Sequence, residues 1–151
     1  MDEYDSVSVA QYMRALALED GLILGVTKVQ KLLYILYAYF LVKYDTRIIN
    51  EQPQAWPFGP VFPRTRSKID YFLKPAERDF DFLKSDKDLE QALREIIQEC
   101  GSLTAGALIE WSHEPYSPWD KIVKHNQKNY GKEIPDDLIK KYFLGLGWFD
   151  C

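Results

Sequence analysis

The 151-residue chain is poor in cysteine and contains only Cys100 and Cys151. Two cysteines at this separation do not match the spacing of zinc ligands. A chain of this length can bury roughly 68–70% of the surface that its unfolded form exposes, so it needs no disulfide to fold. We therefore expect reduced thiols, as is usual in a cytoplasm, and neither a disulfide scaffold nor a metal centre.

Long hydrophobic runs are also missing. The longest uncharged apolar stretch, LLYILYAYFLV at residues 32–42, has eleven residues, whereas a helix needs about 20 to cross a bilayer. The N-terminal sequence MDEYDSVSVAQY is acidic and contains no apolar segment of the kind found in a signal peptide. These absences predict a cytoplasmic protein without a membrane partner, forming one domain over residues 1–151.

The chain has no excess of positive charge. Its net charge is −4, with 9 Lys/Arg against 8 Asp/Glu in residues 1–76 and 10 against 15 in residues 77–151. Nucleic-acid-binding proteins are usually basic, so we expect no nucleic-acid contact except through a protein partner. An acidic protein suits a basic partner, but acidic charge also simply favours solubility, and the charge alone leaves both interpretations open.

Catalytic and metal-binding signatures are absent as well. The chain has no P-loop and no GxSxG sequence, and an HExxH motif starting at His113 fails because residue 117 is Ser. Glu110 precedes His113 by three residues, as in di-iron bundles, but no second such pair is evident. His125 has no carboxylate or cysteine near it. Cys100 could meet His113 in space, although its apolar helix face is more typical of an inert thiol. We expect no enzymatic activity and no cofactor, and a small hydrolase ranks third among the functions considered.

Apolar periodicity predicts a mainly α protein, a compact single-domain helical bundle with a central buried helix and a small β-ribbon. The central helix is 28–44, because it is apolar on two sides. Helices are expected near 8–19, 28–44, 87–100, 103–112 and 135–144, with shorter pieces at 64–73 and 120–126 and strands only between about 46 and 63. The expected N-terminal caps and starts are Ser6 or Ser8, Thr27, Ser85 or Asp86, Ser102 and Pro135. The acidic segment 75–86 is predicted to be a loop.

The first two helices allow an alternative function. A helix, a glycine-containing turn and a second helix starting TKVQK have the order of a helix-turn-helix reader. If both faces of the second helix are buried, however, only Lys28, Gln30 and Lys31 remain to meet a DNA groove. A nucleic-acid-binding regulator is therefore the second hypothesis.

The stretch QAWPFGPVFPR is rigid and aromatic: four of the eight prolines lie within residues 53–63. We predict a ribbon in which Trp56 pins the segment to the central helix near Leu33 or Tyr37. Gly59 is expected to adopt a positive φ before Pro60, where a β-carbon would be strained.

The remaining side chains of this segment are the predicted partner contacts: Phe58, Phe62, Arg64 and Arg66. Aromatic residues and arginine dominate interface energetics, although the two arginines could equally form solvated charge pairs. A second candidate surface lies on the side of Lys31 and Tyr34. Trp111 and Leu36 are predicted core residues, and His113 is expected at the end of a helix, bonded to its last carbonyls.

Several short motifs together resemble the Panacea antitoxin domain family, which includes SocA-like antitoxins and phage-associated GepA-type proteins. They are VQKLLY (29–34), AWPFGPV (55–61), WSH (111–113), PW (118–119) and a closing Ile134 with Tyr142-Phe143. The resemblance spans about residues 7–143. Its motif residues here are Trp56, Gly59, Pro60, Trp111, His113 and Trp119.

The resemblance implies a mostly helical protein that binds and neutralises a cognate protein toxin of a type II toxin–antitoxin system. It also implies that the toxins vary widely, and that some relatives act as adaptors that deliver the toxin to a ClpX-type protease. This sequence departs from the pattern at Pro115 and Pro118, which reshape the turn between His113 and Trp119.

Overall fold

The computed structural model describes residues 3–72, 79–124 and 126–147. These residues form eight α-helices, a two-stranded sheet and a 3-10 turn at Gln127–Asn129. In chain order the elements are α1 (Ser6–Glu19), α2 (Val26–Tyr44), β1 (Gln54–Trp56), β2 (Gly59–Val61), α3 (Pro63–Lys68), α4 (Asp81–Lys84), α5 (Lys87–Cys100), α6 (Ala105–Ser112), α7 (Pro118–Val123) and α8 (Asp136–Leu146). The prediction of a mainly α fold with a small β-ribbon is confirmed.

The centre of the fold is α2. It packs against α1, α5, α6, α8 and β2, and Leu32, Leu33 and Leu36 have no exposed surface. A helix that is apolar on two sides gains free energy only when protein surrounds it. The prediction of a buried central helix, with Leu36 in the core, is confirmed.

The boundaries of α5 follow from its cap and its amphipathic pattern. The Asp86 carboxylate accepts a hydrogen bond of 3.0 Å from the Leu89 N–H, which satisfies one donor of the first turn. Leu89, Leu93 and Ile97 are buried against α2 and α1. The predicted helix 87–100 agrees with the observed bounds.

Several helix starts differ from the predicted ones. Asp5 caps α1 by accepting a hydrogen bond of 2.9 Å from the Ser8 N–H, so neither Ser6 nor Ser8 is the cap. Thr104 caps α6 in place of Ser102. For α2 the cap is Gly25 rather than Thr27, and it makes no side-chain bond.

The short helices were the hardest to predict. α3 ends at Lys68 rather than near residue 73, and α7 starts at Pro118, because Ser117 caps it and a proline fits the first helical turn. The segment predicted to be a loop contains α4, which forms because Leu83 is buried in the core. The predictions for residues 73–78, His125 and Cys151 lie outside the described residues.

The two strands form an antiparallel hairpin that packs on α2, α6 and α7. The paired residues are Gln54 with Val61, Ala55 with Pro60, and Trp56 with Gly59. Phe62, which follows β2, is fully buried, and its ring lies 5.7 Å from that of Tyr37 on α2. This contact places the hairpin at one side of the core, with its turn pointing outward.

Candidate partner-binding surface

The hairpin turn presents an apolar side chain to solvent. Pro57 and Phe58 connect the strands, and Phe58 is 66% exposed. An isolated two-stranded hairpin is marginally stable in water. The shape of the turn therefore depends on contacts that the strands make with the rest of the protein.

Two polar side chains of α2 hold the second strand. Gln30 Oε1 accepts a hydrogen bond of 2.7 Å from the Phe62 N–H, and Lys31 Nζ donates one of 3.0 Å to the Pro60 carbonyl. Both α2 side chains are buried. Breaking either bond would leave a polar group without water or protein, at a cost of about 1–3 kcal/mol.

α7 and the chain before α8 hold the first strand. The Trp119 indole N–H donates a hydrogen bond of 2.7 Å to the Trp56 carbonyl. The Ala55 N–H donates to the Lys132 carbonyl at 2.8 Å, and the Gly131 N–H donates to the Ala55 carbonyl at 2.7 Å. Both strands are therefore fixed from outside the hairpin.

Gly59 lies closer to its neighbours than any other residue type could. Its φ is +107°, in a region that residues with a β-carbon rarely adopt. A β-carbon at this position would lie 2.4 Å from Ser112 Oγ and 2.9 Å from Lys31 Cε. The predicted positive φ before Pro60 is confirmed, and the close approach is a second reason for glycine.

Lys31 places a buried positive charge beneath the turn. Its side chain is 1% exposed, and within the described ranges no carboxylate lies within ion-pair distance of it. Burial lowers the pKa of Lys31 to about 8, because desolvation disfavours the charged form. The ammonium group is still mostly protonated at neutral pH.

His113 and Trp119 form a stacked pair below β1. Their ring centroids are 3.8 Å apart and their planes differ by 10°. Burial, and secondarily the charge of Lys31, lower the pKa of His113 against an opposing effect of Asp120. His113 lies at the C-terminal end of α6, as predicted, but its backbone N–H rather than its ring bonds the last carbonyls, at 3.1 Å from Ile109 and Glu110. The ring stacks on Trp119 instead.

Glu51 joins the base of the hairpin to α1 and α3. One carboxylate oxygen accepts hydrogen bonds from Ser6 Oγ at 2.9 Å, the Thr65 N–H at 3.0 Å and Thr65 Oγ1 at 2.7 Å. The other oxygen accepts a short bond from the Arg64 N–H. The carboxylate thus satisfies the orphan donors at the start of α3.

The predicted contact residues divide into two groups. Phe58, Arg64 and Arg66 are exposed, and their role in partner binding stays a prediction. Phe62 has no exposed surface, so its predicted exposure is wrong. It packs on Tyr37 because the residue after β2 turns into the core to start α3.

The second candidate surface is also buried. Lys31 and Tyr34 are 1% and 2% exposed, because the hairpin covers Lys31 and side chains of α6 and α8 cover Tyr34. Tyr34 contacts the rings of Trp111 and Phe143. Placing Lys31 and Tyr34 on a partner surface was therefore wrong.

Trp56 does not pin the hairpin to the central helix. Ala55 has no exposed surface, whereas Trp56 is half-buried, and its indole N–H donates to Gln54 Oε1 at 3.0 Å. The Arg66 guanidinium lies over the Trp56 ring, 5.4 Å from its centroid. Phe62 makes the contact with Tyr37 that was predicted for Trp56.

Trp111 lies at the edge of the core rather than inside it. It is half-buried, and its ring centroid lies 6.3 Å from that of Tyr34 and 5.9 Å from that of Phe143.

Pro118, one of the two prolines at which the sequence departs from the family pattern, occupies the first turn of α7. The proline therefore begins a helix, and His113 and Trp119 still stack.

Gln30 and Glu51 were not recognised as important for the site. The available signal for Gln30 was its position: a polar residue next to Lys31 within a helix that is otherwise apolar on both sides. A buried polar group must find a partner, and here the partner is the hairpin backbone. Nothing in the local sequence distinguishes Glu51 from a solvated carboxylate.

The residues that the helix-turn-helix hypothesis needs for contact with DNA are not freely exposed. Gln30 and Lys31 are buried against the hairpin, and Lys28 is half-buried.

The pKa of Cys100 is raised by burial and by Glu99, which disfavours a reactive thiolate. In the described ranges no three His, Cys, Asp or Glu side chains are grouped as metal ligands, and no helix combines the length and hydropathy needed to span a membrane.

Comparison with known proteins identifies the family. The family model described as "Antitoxin SocA-like, Panacea domain" matches residues 29–120. This range includes Gln30 and Lys31 of α2, the hairpin and the stacked pair of His113 and Trp119. The chain is similar to Antitoxin SocA of Caulobacter vibrioides (strain NA1000 / CB15N), with 29% identity over 130 residues that cover 76% of this chain and 69% of the relative. No solved structure matches the chain significantly. By this match, over more than half of its length, the chain belongs to the SocA-like antitoxin family with a Panacea domain.

Proposed function

We propose that this protein is an antitoxin that neutralises a cognate protein toxin by direct binding, and that the outer face of the hairpin makes the contact. In this role the protein covers a surface of the toxin and carries out no chemistry of its own. The antitoxin family supports the role, and the geometry of the hairpin supports the location.

The location rests on the exposed Phe58, which lies on a turn whose flanking backbone is fixed. Buried groups of α2 and α7 bind the backbone on both sides of the turn, yet the Phe58 side chain is 66% exposed. Presenting a large apolar side chain to water on a fixed backbone gains nothing for folding. It does lower the ordering cost when a partner covers that side chain.

The flanking residues suit the same purpose. The Arg66 guanidinium rests on the Trp56 ring beside the turn, and stacked aromatic and arginine side chains are typical interface anchors. Arg64 is less available, because its Nη2 lies 2.8 Å from Asp5 Oδ1. We therefore assign the main contacts to Phe58, Trp56 and Arg66.

A rescue experiment with two matched variants tests this proposal. The product of the neighbouring gene is expressed as the toxin, and growth is measured with wild-type protein, with Phe58→Ala and with Phe72→Ala. Phe72 is 94% exposed and lies outside the hairpin, so its truncation removes a similar apolar surface. Phe58→Ala should fail to rescue growth and should weaken binding of the purified toxin by about 2 kcal/mol, roughly 30-fold.

The folded state must be shown to be unaffected. Both variants should keep the melting temperature of the wild type, because neither truncated side chain is buried. If Phe58→Ala rescues as well as wild type, the contact surface lies elsewhere on the protein. If the wild-type chain neither binds nor rescues, the antitoxin role with that partner is wrong.

Direct neutralisation and delivery to a protease differ in the fate of the toxin. The family resemblance implies delivery to a ClpX-type protease for some relatives. We propose neutralisation by covering as the primary mode here. In cells without that protease, rescue should persist and the toxin half-life should not change; loss of rescue would assign the adaptor role instead.

A further inference from the structure

We infer that the hairpin surface recognises an acidic patch of its protein partner, whose carboxylates meet Arg66 and Lys68 beside the apolar site that receives Phe58. This inference rests on the proposed function and names the chemistry of the partner. It reverses the expectation from net charge, because an acidic protein would otherwise be matched to a basic partner.

The local charge of the hairpin segment is opposite to that of the whole chain. Residues 52–69 contain Arg64, Arg66 and Lys68 and no Asp or Glu, although the net charge of the protein is −4. These eighteen residues include both strands, the turn and α3. The candidate contact surface is thus a basic segment on an acidic protein.

Nearby carboxylates are already engaged in the fold. Glu51, which precedes the segment, has both oxygens directed at Ser6, Arg64 and Thr65. Asp5 caps α1 and pairs with Arg64 at 2.8 Å. Neither carboxylate is available to neutralise the cations further along α3. Asp70, just after the segment, is exposed, accepts a hydrogen bond of 2.9 Å from the Phe72 N–H and is not within ion-pair distance of Arg66 or Lys68.

Arg66 and Lys68 therefore remain uncompensated. Both are exposed on the last turn of α3, and in the part of the chain that the structure describes neither has a carboxylate within ion-pair distance. The Arg66 guanidinium carbon lies over the Trp56 ring, 5.4 Å from its centroid, and this contact favours one position of the group beside the turn. A guanidinium suits a carboxylate, which it can bind through two parallel N–H groups.

The buried cation beneath the turn adds to the same field. Lys31 contacts the Pro60 carbonyl from the core side. Its ammonium group is surrounded by protein, so water does little to screen its charge. Charges in a low dielectric act over longer distances than exposed ones. A partner carboxylate above the hairpin would therefore be attracted by Lys31 without touching it.

The rest of the protein favours one orientation. Residues 77–151 carry 15 Asp/Glu against 10 Lys/Arg, so an acidic patch is repelled there and attracted at residues 52–69. Such a contrast steers association and suppresses wrong docking poses. The charge pattern thus acts on the rate and orientation of encounter, while Phe58 supplies apolar contact.

The test is the kinetics of binding to the purified neighbouring-gene protein, after nuclease treatment, at low and physiological salt. Arg66→Glu with Lys68→Glu should slow association by about tenfold or more and reverse the sign of its salt dependence. Arg66→Gln with Lys68→Gln should give an intermediate loss. Lys87→Glu, which reverses one exposed charge on α5, should change the rate less than about twofold.

The outcomes separate this inference from the proposed function. If the wild type binds, Phe58→Ala weakens binding and the charge reversals have no effect, the proposed function stands and the acidic patch is wrong. If nuclease treatment of the wild-type complex abolishes binding, the anionic group is a nucleic-acid phosphate and the inference is overturned. Failure of the wild type to bind overturns both. Circular dichroism must show that each variant is folded.

Discussion

The ammonium group of Lys31 donates a hydrogen bond of 3.0 Å to the carbonyl oxygen of Pro60, from a side chain that is 1% exposed. A lysine is rarely so buried without a paired carboxylate. Here the end of the Lys31 side chain passes close to Gly59, and its ammonium group bonds β2 from the core side. The central helix thereby fixes the hairpin through a charged group, which makes the stability of the fold sensitive to pH.

Lys31→Met tests this arrangement. Folding lowers the Lys31 pKa from its ordinary value of 10.5 to about 8, so between these values the unfolded chain binds more protons than the folded one. The stability of the wild type should therefore gain a contribution as pH rises from about 8 to about 10, worth about 1.4 kcal/mol per pKa unit. Chemical denaturation at several pH values measures it.

Methionine keeps the volume of the stem but cannot titrate, so the variant should lack this contribution. The difference in free energy of unfolding between Lys31→Met and wild type should change with pH only above about 8. A constant difference across this range would mean that Lys31 reaches water in the folded state.

Gly59→Ala should destabilise the protein strongly. The new methyl group would lie 2.4 Å from Ser112 Oγ, and the backbone would keep a φ of +107°. Strain of this type costs about 1–3 kcal/mol, and the clash adds to it. Gly106→Ala is the matched control, because its β-carbon would meet no atom closer than Thr104 Oγ1 at 4.0 Å.

Gly106 lies within α6, where alanine is the better helix former, so the control should be neutral or slightly stabilising. Thermal unfolding of both variants measures the contrast. Equal melting temperatures for Gly59→Ala and Gly106→Ala would show that the hairpin can move away from α2 at little cost.

The sequence was sufficient to predict the long elements of this fold. α5 has strong apolar periodicity and a recognisable cap in Asp86, and α2 is a long helix that is apolar on two sides, so their positions followed from local information. α4 has four residues and is stabilised by burial of Leu83. A helix of four residues is not stable in isolation and depends on tertiary contacts, which cannot be read from the local sequence pattern.

The hairpin shows why the site was harder to predict than the fold. A shift of one residue in a strand exchanges the buried and exposed faces. The sequence predicted that Trp56 contacts α2 and that Phe62 is exposed, whereas the structure places Phe62 against Tyr37 of α2. The hydrogen bond that Gln30 accepts and the one that Trp119 donates join segments far apart in the chain, and no local pattern predicts them.

Trp111→Ala should cost less than truncation of a fully buried core residue of similar size. Trp111 is half-buried and contacts Tyr34 and Phe143 at the edge of the core. We expect a loss of about 2–3 kcal/mol, below the roughly 3–5 kcal/mol typical of buried tryptophan. The melting temperature and the yield of folded protein should both fall.

Leu36→Ala provides the comparison, since Leu36 has no exposed surface. Its cost should be about 2–5 kcal/mol although the deleted group is much smaller. An unchanged melting temperature for Trp111→Ala would mean that its ring contacts contribute nothing to stability.

Trp119→Phe isolates the hydrogen bond that joins α7 to the hairpin. Phenylalanine keeps an aromatic ring that can stack on His113 but lacks the N–H that donates to the Trp56 carbonyl at 2.7 Å. The loss of one part-buried hydrogen bond should cost about 1–2 kcal/mol. Because the bond fixes the first strand, exchange of the Ala55 amide hydrogen should also accelerate.

Trp56→Phe is the matched control for stability, since the Trp56 indole N–H donates to the Gln54 side chain two residues away and not to another part of the fold that the structure describes. Its cost should be smaller, and it should leave exchange of the Ala55 amide hydrogen nearly unchanged. A hairpin loosened by Trp119→Phe must be ordered again when the partner binds. The complex of that variant should therefore dissociate faster than the wild-type complex, whereas an unchanged dissociation rate would mean that the partner does not require a preformed hairpin.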